Sequence, residues 1–262
     1  MIDINFSQLE QWISLFLWPF ARVTGLLIAA PIFSHRSFPM RAKIVFGVAL
    51  TALISNSVAL PQNVAILSWA SVGILIEQIL IGVAIGMVMQ VLFAVVQAAG
   101  DFIGLQMGLA FAAFFSADTG ANTMILARFL FIVSMLFFLA IDGHLMMLQV
   151  LSASFDIIPI ASFSLKADGF LQIALYGSAV FKLGMLLALP VIGVLLVINL
   201  SMGILNRSAP QFTVFSVGFP ISLTVGALLF ALLMTQLGQF LNGLFQQGFS
   251  TLLLILREGL AG

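Results

Sequence analysis

Long apolar runs separated by short polar clusters dominate the chain, at residues 12–33, 44–60, 69–99, 124–141, 144–159, 170–200 and 212–241. A helix rises about 1.5 Å per residue and the hydrocarbon core of a bilayer is about 30 Å thick, so about 20 apolar residues cross it. By that rule the pattern predicts roughly six or seven helical segments of membrane character. The alternating polarity that a membrane barrel requires is missing, so every run is assigned as helix. Two of them, 69–99 and 170–200, overshoot one bilayer, whereas 144–159 falls short. Asp142-Gly143-His144 reads equally as a tight hairpin between two helices or as a kink inside one. From residue 170 onward, two long runs joined by the polar cluster 206–211 predict a helical hairpin.

Composition sharpens this to an integral membrane protein. Of 262 residues, 62% are hydrophobic and 7% charged, and the mean hydropathy is +1.24. In soluble domains about a quarter of residues are charged. Nine basic residues balance nine acidic ones, which leaves no basic surface for nucleic acid. The absence of cysteine excludes disulfides, thiol catalysis and thiolate metal sites. The first residues, MIDINFSQLEQW, carry Asp3 and Glu10 rather than a basic leader, so the first apolar run is expected to be retained. In SHRSFPMRAK, Arg36, Arg41 and Lys43 crowd one short connection. The positive-inside rule places that connection in the cytoplasm and the N-terminus outside.

Five ionisable side chains fall within or beside apolar runs: Arg22, Glu77, Asp101, Arg128 and Lys182. Each is costly against lipid and calls for a partner, a cavity or an interface. Ion pairing inside a bundle is the simplest account. The alternative is a secondary transporter or ion channel that uses Glu77 or Asp101 as a coupling carboxylate. His35 and His144 are far apart, and HExxH, GxSxG and phosphate-binding loop patterns are absent. No enzyme, metal site or cofactor is therefore expected.

Two stretches carry more information. In GDFIGLQMGLAFAAFFSADTGANT, at 100–123, glycines recur every four residues at Gly100, Gly104 and Gly108, a spacing that lets helices approach closely. After Phe111, Phe114 and Phe115 the chain turns polar through Ser116, Asp118, Gly120 and Asn122, a run of turn formers that predicts a loop. Such a loop at membrane depth is tolerated only where protein buries it or it lines a cavity. In LNRSAPQFTVFSVGFP, at 205–220, Asn206, Arg207, Pro210 and Gln211 form a hairpin turn, while Gly218 and Pro220 continue to interrupt the next segment.

GLQMGLAFA, with Gly104, Gln106, Met107 and Gly108, and NRSAPQFTVFSVGFP, with its Arg207-x-Ala209-Pro210-Gln211 cluster, resemble the two signature regions of the FliR family. WPFARVTGLLIAAPIFS at 18–34 agrees as well, so the resemblance covers nearly the whole chain. Thr213 stands where that family often has Asn. The family is the flagellar export-gate subunit, the counterpart of SctT in virulence type III secretion. The resemblance implies an all-α membrane protein of long and broken helical hairpins, with residues 1–169 FliP-like and 170–262 a FliQ-like hairpin. It implies a single copy assembled with FliP-like and FliQ-like subunits around a channel for unfolded flagellar proteins, next to FlhB-like and FlhA-like export proteins. The expected location is the inner membrane within the flagellar basal body, protruding to the periplasmic side. The stretch 111–122 would be the plug of that channel, and 206–211 a partner contact at its cytoplasmic entrance.

Overall fold

The computed structural model describes residues 6–34, 39–58, 68–109, 125–161, 165–208 and 217–260. The described residues form helices α1 (Phe6–Ala29), α2 (Pro31–Ser34), α3 (Met40–Ile54), α4 (Trp69–Gln106), α5 (Ile125–Ala140), α6 (Gly143–Ile157), α7 (Ala167–Tyr176), α8 (Ala179–Ser208) and α9 (Phe219–Leu254), with a 3-10 turn at Ser55–Ser57 and a π-helical end at Ile255–Leu260. Among the described residues, four helical stretches are long and apolar enough to cross a membrane, and α5 with α6 makes a fifth if the two form one broken span. The all-α membrane class expected from the apolar pattern is what the structure has.

Helix boundaries moved for local reasons. The first run ends at Ala29 because Pro31 starts a new turn. The run at 170–200 is interrupted at Gly177 between α7 and α8. In the last run, residues 217–218 lead as a π-helical turn into α9 at Phe219, and Pro220 lies in the first turn of α9. Asp142 takes a left-handed φ of 56° and its carbonyl accepts from the Leu145 and Met146 amides. That residue breaks the helix between α5 and α6.

The chain divides into two compact units, each discontinuous in sequence. Residues 1–91, 142–177 and 247–262 form the first. Its core holds Trp18, Val23, Leu26, Ile74, Ile81, Leu151 and Leu256, all nearly or fully buried. Its α1 and α4 meet backbone to backbone: a Cβ on Gly25 would stand 2.5 Å from the Ile79 carbonyl oxygen, and one on Gly86 2.5 Å from the Ala29 Cβ. The Gly82 position is tighter still, against the Arg22 carbonyl. Gly82 and Gly86 are the small-xxx-small pair that such an approach requires. The π-helical end closes on α7, with Gly169 against Leu260 and the Lys166 amide donating to the Leu260 carbonyl.

Residues 92–141 and 178–246 form the second unit. Phe93 stacks with Phe131, Phe138 and Phe245 at 5.5–5.8 Å between ring centroids, and Phe138 meets Phe245 at 4.9 Å. Edge-to-face aromatic packing of this kind fixes orientation as well as burying area. Helices α8 and α9 run antiparallel in the second unit, tied near their connected ends by a 2.9 Å hydrogen bond between Ser222 Oγ and Asn199 Oδ1.

Candidate functional site

The GLQMG signature is a helix terminator. Gly108 has φ 81°, in the left-handed region that glycine enters without a Cβ penalty. The Leu109 amide donates to the Gly104 carbonyl at 3.0 Å and the Gly108 amide to the Leu105 carbonyl at 3.1 Å. These paired bonds are the Schellman arrangement that satisfies the last carbonyls of a helix. Met107 is buried, and a Cβ on Gly226 would reach its Cγ at 2.5 Å, so Gly226 makes room for Met107 against α9. Gly104 is buried and Gln106 half-buried.

The close approach anticipated from the glycine spacing occurs at Gly100, where an added Cβ would stand 2.5 Å from the Ala127 Cα. This contact clamps the end of α4 to the start of α5. The stretch 110–124 is thus bracketed by two fixed stems. Phe111, Phe114, Phe115, Ser116, Asp118, Gly120 and Asn122 themselves lie outside the described residues.

Of the second signature, Asn206 and Arg207 are exposed in the last turn of α8, Gly218 is buried just before α9, and Pro220 is exposed. Pro210 and Gln211 lie outside the described residues. Arg207 complements the negative end of the α8 dipole.

The intramembrane ionisable groups separate into different settings. Arg22 is fully buried. Its Nε donates to Gln78 Oε1 at 2.8 Å, Nη1 to Ser154 Oγ at 3.0 Å and Nη2 to the Ile158 carbonyl at 2.8 Å. Its Cζ lies 4.1 Å from the centroid of the Phe155 ring, and Glu77 is close enough for the two charges to attract. One guanidinium fork therefore ties α1 to α4 and α6, using the geometry that distinguishes Arg from Lys. Arg128 and Lys182 are exposed and Asp101 half-buried. Sequence reasoning singled out Arg22 and Glu77 but missed Gln78 and Ser154. Gln78, an amide within an apolar run, was the available signal.

Taken together, the fold and these features define an integral membrane protein of long helices whose α4 and α5 frame a bounded insertion. Residues 13–248 match the family described as Bacterial export proteins, family 1. The chain is 45% identical over 259 residues to the flagellar biosynthetic protein FliR of Pectobacterium carotovorum subsp. carotovorum, covering 98% of both chains. It is 41% identical over 259 residues to FliR of Escherichia coli K12, again with 98% coverage of both. With FliR of Bacillus subtilis the identity is 26% over 241 residues, covering 90% of this chain and 92% of the relative. The chain belongs to the FliR family of bacterial export proteins.

Proposed function

We propose that this chain is a structural and gating subunit of the flagellar type III protein export gate, forming with FliP-like and FliQ-like subunits the channel for unfolded flagellar proteins. It sits in the inner membrane at the basal body and protrudes toward the periplasm, with FlhB-like and FlhA-like proteins at the cytoplasmic side. Residues 1–169 act as its FliP-like part and 170–262 as its FliQ-like hairpin; the antiparallel α8 and α9 support that division. Its role is mechanical, without a catalytic residue, and the engagement of Glu77 with Arg22 fits a pairing that holds helices together.

The observation that carries the reading is the pair of fixed stems at Gly108 and at Gly100 against Ala127. A plug must yield to a passing chain while its supports stay in place. Residues 111–122 would supply phenylalanines for the seal and small or polar residues for movement, while the Schellman cap keeps α4 from unravelling. Native mass spectrometry of the tagged chain, co-expressed with the neighbouring flagellar membrane proteins, tests the assembly. A single copy bound to several copies of two smaller subunits is expected, and a free monomer or homodimer would overturn it. Deleting 114–120 tests the plug: the complex should assemble and leak small ions, and an unchanged permeability barrier would refute that role.

A further inference from the structure

Between residues 235 and 246, α9 carries a neutral polar face. Thr235, Gln236, Gln239, Asn242, Gly243 and Gln246 are all exposed. At 3.6 residues per turn they fall within about 120° of the helix circumference and span about 17 Å of its axis. The opposite side is the packed one: Leu233, Leu237, Leu241, Leu244 and Phe245 are buried. Among the described residues, nothing lies within 4 Å of where a Gly243 Cβ would stand. Gln236 and Gln239 also supply the polar part of an otherwise apolar cavity of about 500 Å³, lined by Leu229 and Leu232 of α9 and by Leu186 and Pro190 of α8.

Three environments could receive this face. Lipid is unsuitable, because amides facing hydrocarbon lose their hydrogen bonds. A dry seat for another membrane helix fits less well: Asn and Gln do bond across helices, but close seams favour small residues that let backbones approach, and four of these six positions carry amides. Here glutamine side chains hold a neighbour away across a broad arc. An aqueous path suits it best. The stretch contains no charged residue, so neither acidic nor basic segments of a moving chain would be held electrostatically. Each amide also offers both a donor and an acceptor to the peptide groups of an extended polypeptide.

We propose that this face of α9 borders the water-filled path of the assembled complex and contacts the main chain of the polypeptide in transit. The inference rests on the channel reading above and assigns part of its lining to these residues. The chain has no cysteine, so single Gln239→Cys, Asn242→Cys and Thr235→Cys variants report cleanly, with buried Leu237→Cys as reference. In cells carrying the intact complex, a charged, membrane-impermeant thiol reagent is applied with and without a flagellar export substrate stalled by fusion to a tightly folded domain.

Labelling at the three polar positions should run at least about tenfold faster than at Leu237→Cys, because thiol reactivity follows exposure, and the stalled substrate should suppress it. Absent labelling would overturn the proposal in favour of a buried protein interface. Labelling that the stalled substrate leaves unchanged would overturn it too, placing the face in open water outside the path. Each variant is first checked for recovery with the other export subunits and for motility, and three positions guard against one variant failing to assemble. Failure of the parent chain to be recovered with those subunits would sink the channel reading itself; recovery without substrate protection would sink only the assignment of α9.

Discussion

Replacing Arg22 with alanine should destabilise the chain by about 4 kcal/mol, a value built from the groups it would abandon. Gln78 is fully buried and would lose the donor to its Oε1; the Ile158 carbonyl would lose the 2.8 Å bond from Nη2. A buried polar group left without its partner costs about 1–3 kcal/mol, giving roughly 2–6 for the two. Ser154 adds little, because its hydroxyl still donates to the Leu151 carbonyl at 2.6 Å. The lost stacking on Phe155 contributes about 1 kcal/mol. Uncompensated charge sets a similar scale, since removing one partner of a buried pair costs about 3–5 kcal/mol. For a chain of this length 1 kcal/mol moves a melting temperature by about 2–4 °C, so a fall of about 8–16 °C is expected. The assay is thermal melting in mild detergent followed by size-exclusion chromatography. Arg22→Met keeps the bulk without the donors and should fall nearly as far as Arg22→Ala. Arg22→Lys should fall between, because an ammonium cannot reproduce the fork. A methionine variant that melts within about 2 °C of the parent, against the shift per kcal/mol just used, would refute the hydrogen-bond argument and leave packing as the role of this residue.

Three further outcomes follow from single positions. Gly82→Ala should destabilise by about 1–3 kcal/mol, because its Cβ meets the backbone of α1, whereas Gly243→Ala, with open space around it, should be neutral or slightly stabilising; equal melting of the two variants would contradict this. Gly108→Ala must hold a left-handed φ of 81° at a cost of about 1–2 kcal/mol, and it should raise ion leakage through the assembled complex by shifting a stem of 111–122; an unaltered barrier would count against the stem's importance. Arg207→Ala, at an exposed helix end, should leave the melting of the isolated chain within about 0.5 kcal/mol of parental stability while lowering recovery of the whole complex. Normal recovery together with normal motility would argue against a partner contact there.

Helix content was legible because apolar runs of this length have few other solutions in lipid. Ends were less legible, since termination depends on one or two residues. Gly108 ends α4 through its own left-handed φ, although its four-residue spacing from Gly104 suggested packing. The tighter glycine seam at Gly82 and Gly86 is equally visible as a spacing, but only Gly25 on α1 gives it meaning. The cost of burying Arg22 was plain from its apolar neighbours. Its partners lie 56, 132 and 136 positions away, beyond any local window. The two signature regions were recognisable as motifs, yet helix propensity and periodicity leave open which neighbour receives Arg207.

The distribution of buried surface explains why so apolar a chain carries so little internal polar chemistry. In the most apolar window of Trp69–Gln106, 61% of residues are buried within the chain, against 28% for Ala167–Ser208 and 22% for Phe219–Leu260. Helix α4 is therefore held by its own chain, through the glycine seam, Arg22 and the phenylalanine cluster. Helix α8 instead leaves Phe181, Leu186, Val197, Leu200 and Ile204 exposed, a concentration of apolar surface that requires lipid or another protein as its solvent. A helix crossing a bilayer needs only about 30 Å of length, whereas α8 with 30 residues reaches about 45 Å and α9 with 36 about 54 Å. Lipid alone cannot cover that excess in a straight helix; tilt accommodates part of it, and protein neighbours are the remaining cover. Apolar surface of that extent is what the proposed assembly would cover. For that reason Arg22→Ala should register in the isolated chain, while Arg207→Ala should register only in the complex.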